Sequence, residues 1–290
     1  MDGTTLQALS ADLAALTARA GTAVVAVEGR ETRASGFVWR QGWVVTADEA
    51  LGEEDAYSVT LPDGSTVAAT LRGRDPSTDV ALLKLEGDGG VAVGAPGVAA
   101  AGALALALGR AEGDVLAGFG VVTRAGAAWR SMRGGVIDAR VELGLRLDRR
   151  AEGGLVIGMD GAVLGMAAFG PRRRALVIPM ATVERVAAML AERGRIARGY
   201  LGVGLQPVAV AGHDGMAGMV ISLDASGPGA AAGLHQGDII VSLDGAPIRR
   251  VQDLTGALGP DSVGRAMVLG LRRAGSTATV TVTVGERPAA

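Results

Sequence analysis

The chain has 290 residues, no cysteine, two histidines and a formal net charge of -2. That length suits two domains of ordinary size, and the missing cysteines exclude disulfides, thiol catalysis and cysteine metal sites. The near-neutral charge, with no basic stripe interleaved with aromatics, gives a nucleic-acid role no electrostatic support.

Hydrophobic residues make up 49% and aromatics 3%, so the cores are expected to be built from Val, Leu, Ala and Ile. The 46 glycines suit many tight turns between short strands. In the N-terminal segment, residues 1–20, Leu6, Leu9, Leu13 and Leu16 recur at intervals of three and four, which predicts one apolar face of a helix. That segment has neither a basic leader nor an uninterrupted apolar core, so it does not read as a signal peptide. The longest apolar run, residues 98–108, is too short to span a bilayer. The expectation is a chain without a membrane span, cytoplasmic as written and periplasmic or in the cell envelope if a leader has been removed.

From Gly21 the pattern turns to short β-type segments at 22–28, 33–39, 42–46, 57–61, 66–71 and 80–85. Turn signals such as Pro62-Asp63-Gly64 and Asp75-Pro76-Ser77 separate them. Further strands are expected at 103–108, 118–123, 135–139, 155–157 and 162–168. A dozen short strands without interleaved helices predict an all-β barrel or a pair of barrels over 21–180, with the N-terminal helix docked on the first or meeting a second copy. A helix is predicted over 181–192, with Val183, Val186, Ala187 and Leu190 on one face and Gly194 just past its end; residues 181–198 read as a connecting helix and linker. A small module of strands with one or two helices fills 199–287.

Specific motifs carry a resemblance. Residues 228–234 followed by Gln236-Gly237-Asp238-Ile239-Ile240, the turn Leu243-Asp244-Gly245, and the stretch Tyr200-Leu201-Gly202-Val203 resemble a PDZ domain. Upstream, Ala34-Ser35-Gly36-Phe37-Val38, Trp43-Val44-Val45-Thr46, the run 75–84 and the loop 147–166 resemble the HtrA family of trypsin-like serine proteases. The resemblance covers about residues 21–285 and implies a mostly β fold, a trypsin-like double β-barrel followed by one PDZ domain.

It also implies a degenerate triad. Asp79 stands in the aspartate position, Glu49 where the family keeps histidine, and Glu152 where it keeps serine; Ala151 and Leu155 replace the neighbouring asparagine and proline. Triad chemistry needs a base that exchanges a proton near neutral pH. Both histidines, His213 and His235, lie in the PDZ segment, so no shift of alignment restores one to the barrel. The barrel serines Ser35, Ser58, Ser65, Ser77 and Ser131 do not precede a Gly-Gly pair, and the one lysine, Lys84, lies on a core strand. The implied function is a catalytically inactive protein that binds peptides or misfolded proteins, or scaffolds a partner; the alternative is an active serine endopeptidase in protein quality control. No cofactor is implied. A third reading makes Glu49, Asp79 and Glu152 an acidic cluster for a cation, against simple drift or pairing of a glutamate with Arg149 or Arg150.

At the PDZ segment, the backbone N–H groups of Leu201-Gly202-Val203 would hold a peptide's C-terminal carboxylate beside Tyr200, with Arg198 assisting. Val251, Leu254 and Leu258 would line the groove, although each taken singly also reads as core. The expected partners are peptide or protein C-termini, with a homo-oligomer left open.

Overall fold

The computed structural model describes residues 3–288; Met1 and Asp2, at the head of the expected helical segment, and the last two residues lie outside it. The chain forms two compact units, Met1–Ile196 and Ala197–Ala290.

The first unit contains two closed six-stranded barrels. Barrel one comprises β1 (Val24–Glu28), β2 (Arg33–Arg40), β3 (Trp43–Thr46), β4 (Ala56–Thr60), β5 (Thr66–Asp75) and β6 (Val80–Leu85), in the order β1-β2-β3-β6-β5-β4. Barrel two comprises β7 (Leu104–Ala111), β8 (Asp114–Gly126), β11 (Arg140–Gly144), β12 (Leu155–Gly158), β13 (Val163–Phe169) and β14 (Ala175–Pro179), ordered β11-β14-β13-β12-β7-β8. The short strands β9 (Trp129–Arg130) and β10 (Val136–Ile137) pair outside it.

Several strands are apolar at consecutive positions because both their faces are covered. Val25, Val27, Val38, Val44 and Leu83 fill barrel one, and Ala105, Ala107, Val141, Val156 and Val177 fill barrel two. The opposite faces meet in a shared core that joins Phe37, Val45 and Leu82 to Leu108, Leu155 and Met166. Each large side chain buried there contributes roughly 1.5–3 kcal/mol.

Helix α1 (Gly3–Gly21) differs from expectation in how it docks. Leu16 is buried in the core shared by both barrels, whereas Leu6 and Leu9 are 52% and 41% exposed, so only the C-terminal half packs, and not on barrel one alone. The buried Arg110 fixes that end. Its Nη2, Nε and Nη1 donate to the carbonyls of Gly21 (2.9 Å), Val24 (2.7 Å) and Gly113 (2.6 Å), which compensates the burial of its charge. Helix α2 (Met180–Arg193) buries Val183, Val186, Ala187 and Leu190 in the shared core, and Gly194 ends it in the left-handed region, as its position after the apolar face predicts.

Two barrel strands, β11 and β14, have no counterpart among the expected ones, and the expected strand at 135–139 reduces to β10 and a turn into β11. β8 outruns its expected 118–123 because most of its 13 residues are exposed and carry little apolar signal.

In the second unit, β15 (Gly199–Tyr200) pairs with β22 (Gly285–Glu286). Strands β16 (Val203–Ala209), β17 (Met216–Leu223), β18 (Ile239–Leu243), β20 (Ala266–Arg273) and β21 (Ser276–Thr283) follow that order across the main sheet, with β19 (Ala246–Pro247) on β18. Helices α3 (Pro228–Ala231) and α4 (Val251–Ala257) complete it. Val220, Leu234, Ile240, Leu269 and Leu271 form its core. The buried Asp238 of the Gln-Gly-Asp turn takes two 2.7 Å bonds from Arg273 Nε and Nη2, so this motif residue is structural.

Candidate functional site

Antiparallel pairing of β3 with β6 sets Thr46 opposite Ala81, which brings Glu49 and Asp79 to the same end of barrel one. Asp79 has left-handed backbone (φ 60°), a conformation aspartate tolerates better than most residues, and its Oδ1 accepts the Glu49 N–H at 2.8 Å. Glu152 arrives from barrel two, between a 3-10 turn (Arg149–Ala151) and β12. Its carbonyl accepts the Ser35 N–H at 2.9 Å, tying the loop to β2.

Three carboxyls therefore converge. Burial pushes the Asp79 carboxyl up to about 8, the Glu49 N–H draws it back, and the negative charges of Glu49, Glu152 and Asp48 push it further up. Asp79 is accordingly protonated at neutral pH. Glu152 is raised chiefly by burial and then by Glu49, with the Phe169 N–H, Arg149 and Arg173 opposing. Glu49 turns to Arg133 Nη2 at 3.5 Å, and the buried Asp48 beside it is paired with Arg74. Neither Arg149 nor Arg150 is Glu49's partner. Arg150 reaches Asp148 and Glu112 instead. A cleft of about 620 Å³ beside Glu49 is lined by Asp48, Glu53, Arg74 and Arg133. Among the described residues no group of three or more His, Cys, Asp or Glu side chains is placed to hold a metal ion.

The loop ahead of Glu152 satisfies itself. The Arg150 N–H donates to Asp148 Oδ1 (2.9 Å), Ala151 to Asp148 O (3.0 Å), Glu152 to Arg149 O (3.2 Å), Gly153 to Ala167 O (2.8 Å) and Gly154 to Ala151 O (3.0 Å). No backbone donor from 150 to 154 is left for an oxyanion. The Gly-Gly pair is explained by packing: Gly153 sits at φ 82° where a Cβ would collide with Ser35 O and Thr46 Oγ1, and one on Gly154 would collide with Leu108 O. Four of the five barrel serines have engaged hydroxyls as well, Ser58 being the exception among the described residues. Ser35 Oγ donates to Arg150 O (2.5 Å), Ser65 Oγ to Asp63 (2.6 Å), Ser77 Oγ to Asp75 (2.6 Å) and Ser131 Oγ to Ser77 O (2.5 Å). Lys84 Nζ lies over the Trp43 ring at 4.7 Å.

The second unit offers a different site. The carbonyls of Leu201 and Gly202 accept N–H groups from Gly229 and Asp224, both at 2.8 Å, while their own N–H groups donate to nothing among the described residues. Gly202 is left-handed (φ 73°), and a Cβ there would press on Gly227 Cα at 3.1 Å. Tyr200 braces the loop through its hydroxyl, which donates to Asp224 Oδ2 at 3.1 Å. β16 is an edge strand whose outer side is unpaired, and α4 packs over β16 and β17. Leu201 and Leu254 are fully buried and belong to the core; Val203, Val251 and Leu258 are half-buried and available as walls, as is Leu205, which sequence reasoning missed. Arg198 is half-buried on the β15 side, its carbonyl accepting the Arg287 N–H at 2.8 Å.

Comparisons with known proteins agree with this architecture. Residues 34–166 match the trypsin-like peptidase domain family and 199–284 the PDZ domain family. A probable periplasmic serine endoprotease, DegP-like, from Bartonella henselae is 31% identical over 281 residues, covering 87% of this chain and 52% of that protein. One from Pseudomonas fulva, of the same description, is 32% identical over 271 residues, covering 88% and 56%. The chain thus spans about half the length of the curated relatives it matches. Among solved structures, the HtrA-type protease AlgW with a decapeptide superposes at TM-score 0.76 (21% identity, 96% of this chain and 99% of that one). The serine endoprotease from Yersinia pestis superposes at 0.74 (24%, 94% and 97%). The chain belongs to the HtrA family, with a trypsin-like peptidase domain followed by one PDZ domain.

Proposed function

We propose that this HtrA-family protein does not cleave peptide bonds and works as a peptide-binding pseudoprotease. The observation that carries the reading is the pair Glu49 and Glu152 in a barrel without histidine. A glutamate in the serine position offers no hydroxyl to acylate, and a protonated Asp79 has no imidazole to orient. The engaged N–H groups of 150–154 support the same conclusion.

Binding then falls to the PDZ domain. The unengaged N–H groups of Leu201 and Gly202 can receive a terminal carboxylate, and the open edge of β16 can take the strand that precedes it. No helix among the described residues is long and apolar enough to cross a membrane. The relatives are named as periplasmic, and we read the same compartment for this chain.

The relatives are also named as endoproteases, so activity is the competing reading. Two measurements on the full chain test the proposal. A serine-directed phosphonate should label no barrel serine, and stoichiometric labelling would reverse the assignment. A peptide ending in a free apolar C-terminus should bind more tightly than its amide by about 1.5–3 kcal/mol, the value of a charge-assisted carboxylate contact. Equal affinity for acid and amide would remove the groove from the function.

A further inference from the structure

The loop that carries Glu152 also walls a second concavity of about 760 Å³. Arg146, Arg149, Arg150 and Arg173 line it together with Phe169. Asp148 is the one carboxylate in the lining, and it is already bonded to the Arg150 N–H and Nε at 2.9 and 3.3 Å. Arg150 is further occupied by Glu112 at 3.5 Å. Arg146, Arg149 and Arg173 are exposed, and their side chains make no ion pair among the described residues. Arg173 is held in place: its guanidinium lies 5.2 Å from the Phe169 ring centre, and Arg172 and Arg173 both adopt left-handed backbone (φ 59° and 58°) in a turn closed by the Gly170 N–H on Arg174 O at 2.8 Å. Successive non-glycine residues in that conformation are a cluster of strain of the kind found at ligand clamps.

We propose that this cleft receives the carboxylate of a glutamate or aspartate side chain from an extended polypeptide, so that the barrel selects acidic segments. Arg146, Arg149 and Arg173 bring three guanidinium groups to the cleft, where they already act on the carboxyls of Asp148 and Glu152, and a carboxylate from a ligand can accept bidentate hydrogen bonds from them. The cleft adjoins position 152, and in trypsin-like folds the lining of the pocket beside that position sets which substrate side chain enters. The basic region is also confined. Glu152, Glu112 and Asp148 rim it, so a long phosphate backbone would run onto negative charge where a single carboxylate would not. The inference deepens the binding reading by naming the barrel's partner class, and peptides with blocked ends keep its test apart from the PDZ loop.

The test is calorimetric titration of the full chain at about 50 mM salt, where surface charge is only partly screened. The probes are N-acetylated, C-terminally amidated octapeptides of alanine and valine with a central glutamate, glutamine or lysine. The glutamate peptide is expected to bind at least about tenfold more tightly than the glutamine peptide, with the lysine peptide weakest. Arg149→Gln combined with Arg173→Gln should equalise glutamate and glutamine while the chain stays folded, because both side chains are exposed and exposed charge contacts contribute little to stability. Gly202→Val should leave the preference intact. The proposal is overturned if the glutamate peptide does not bind, if it binds no better than the glutamine peptide, or if the preference survives the double substitution. Displacement of the peptide by a short oligothymidylate at lower concentration than by the peptide itself would also overturn it and assign a polyanion site.

Discussion

Replacing Asp79 by asparagine measures what it costs to house a carboxyl that nothing neutralises. In the unfolded chain an aspartate ionises near 3.9. In the fold Asp79 keeps its proton up to about 8, because burial and the charges of Glu49, Glu152 and Asp48 outweigh the Glu49 N–H. Between those values folding must take up a proton. The stabilisation tied to this group is therefore complete below about pH 4, declines as pH rises, and stops declining above about pH 8, with a slope of about 1.4 kcal/mol per pH unit. Asparagine has the same shape, tolerates the left-handed backbone, and can present its oxygen to the Glu49 N–H, but takes up no proton. Other groups titrate in both proteins and largely cancel. Since Asp79 is half-buried and solvent relaxes part of the penalty, the full product of slope and window is discounted. We expect Asp79→Asn to gain about 2–3 kcal/mol on the parent between pH 4 and 8. Urea denaturation read by Trp39, Trp43 and Trp129, all in the barrel unit, gives both curves. A stability difference that does not change with pH, or that widens in the parent's favour, would refute the reasoning.

Three further outcomes follow from named contacts. Gly153→Ala should destabilise the barrel unit by about 2 kcal/mol or more, because the new Cβ meets Ser35 O and Thr46 Oγ1 at a left-handed position; a loss within 0.5 kcal/mol, about the effect of an ordinary surface change, would mean the loop is not packed as described. Glu49→His with Glu152→Ser should restore no casein hydrolysis above a double-alanine control, since the 150–154 N–H groups remain engaged; measurable turnover would show that the loop reorganises. Gly202→Val should abolish the preference for a free C-terminus over its amide, because the side chain strains φ 73° and crowds Gly227; retained preference would place the carboxylate elsewhere.

The architecture was legible in the sequence because it rests on local signals. Consecutive apolar residues in β1 and β2 reflect burial on both faces, and the Gln-Gly-Asp run marks a turn whose aspartate must meet Arg273. The short strands β11 and β14 escaped because one follows directly from a turn and the other lies between the arginine-rich loop and a helix. The positions of Glu49, Asp79 and Glu152 were readable from motif spacing, but their partners were not. Arg133 is 84 residues from Glu49 in the chain, and only closure of the ribbon beside barrel two brings it near. Arg172-Arg173-Arg174 likewise reads as a solvated loop, and the fold divides it: Arg174 pairs with Glu142 at 3.4 Å, while Arg173 faces a cleft.

Under the proposed function the loop outlasts its chemistry, and the reason lies in which atoms the fold uses. At position 152 the fold uses chiefly the backbone, whose carbonyl holds Ser35 and whose N–H closes the 3-10 turn, while the half-buried side chain adds a contact with the Phe169 N–H. At position 49 the backbone N–H is bound and the side chain is 49% exposed. Both side chains can therefore change from serine and histidine to glutamate at little cost in packing. Position 79 differs, because its side chain receives the Glu49 N–H and its backbone is left-handed, so alanine there would lose a hydrogen bond and incur strain. The glycines at 153 and 154 are fixed by sterics alone. In this reading the two residues that perform the reaction are structurally replaceable, and the aspartate and glycines that accompany them are not.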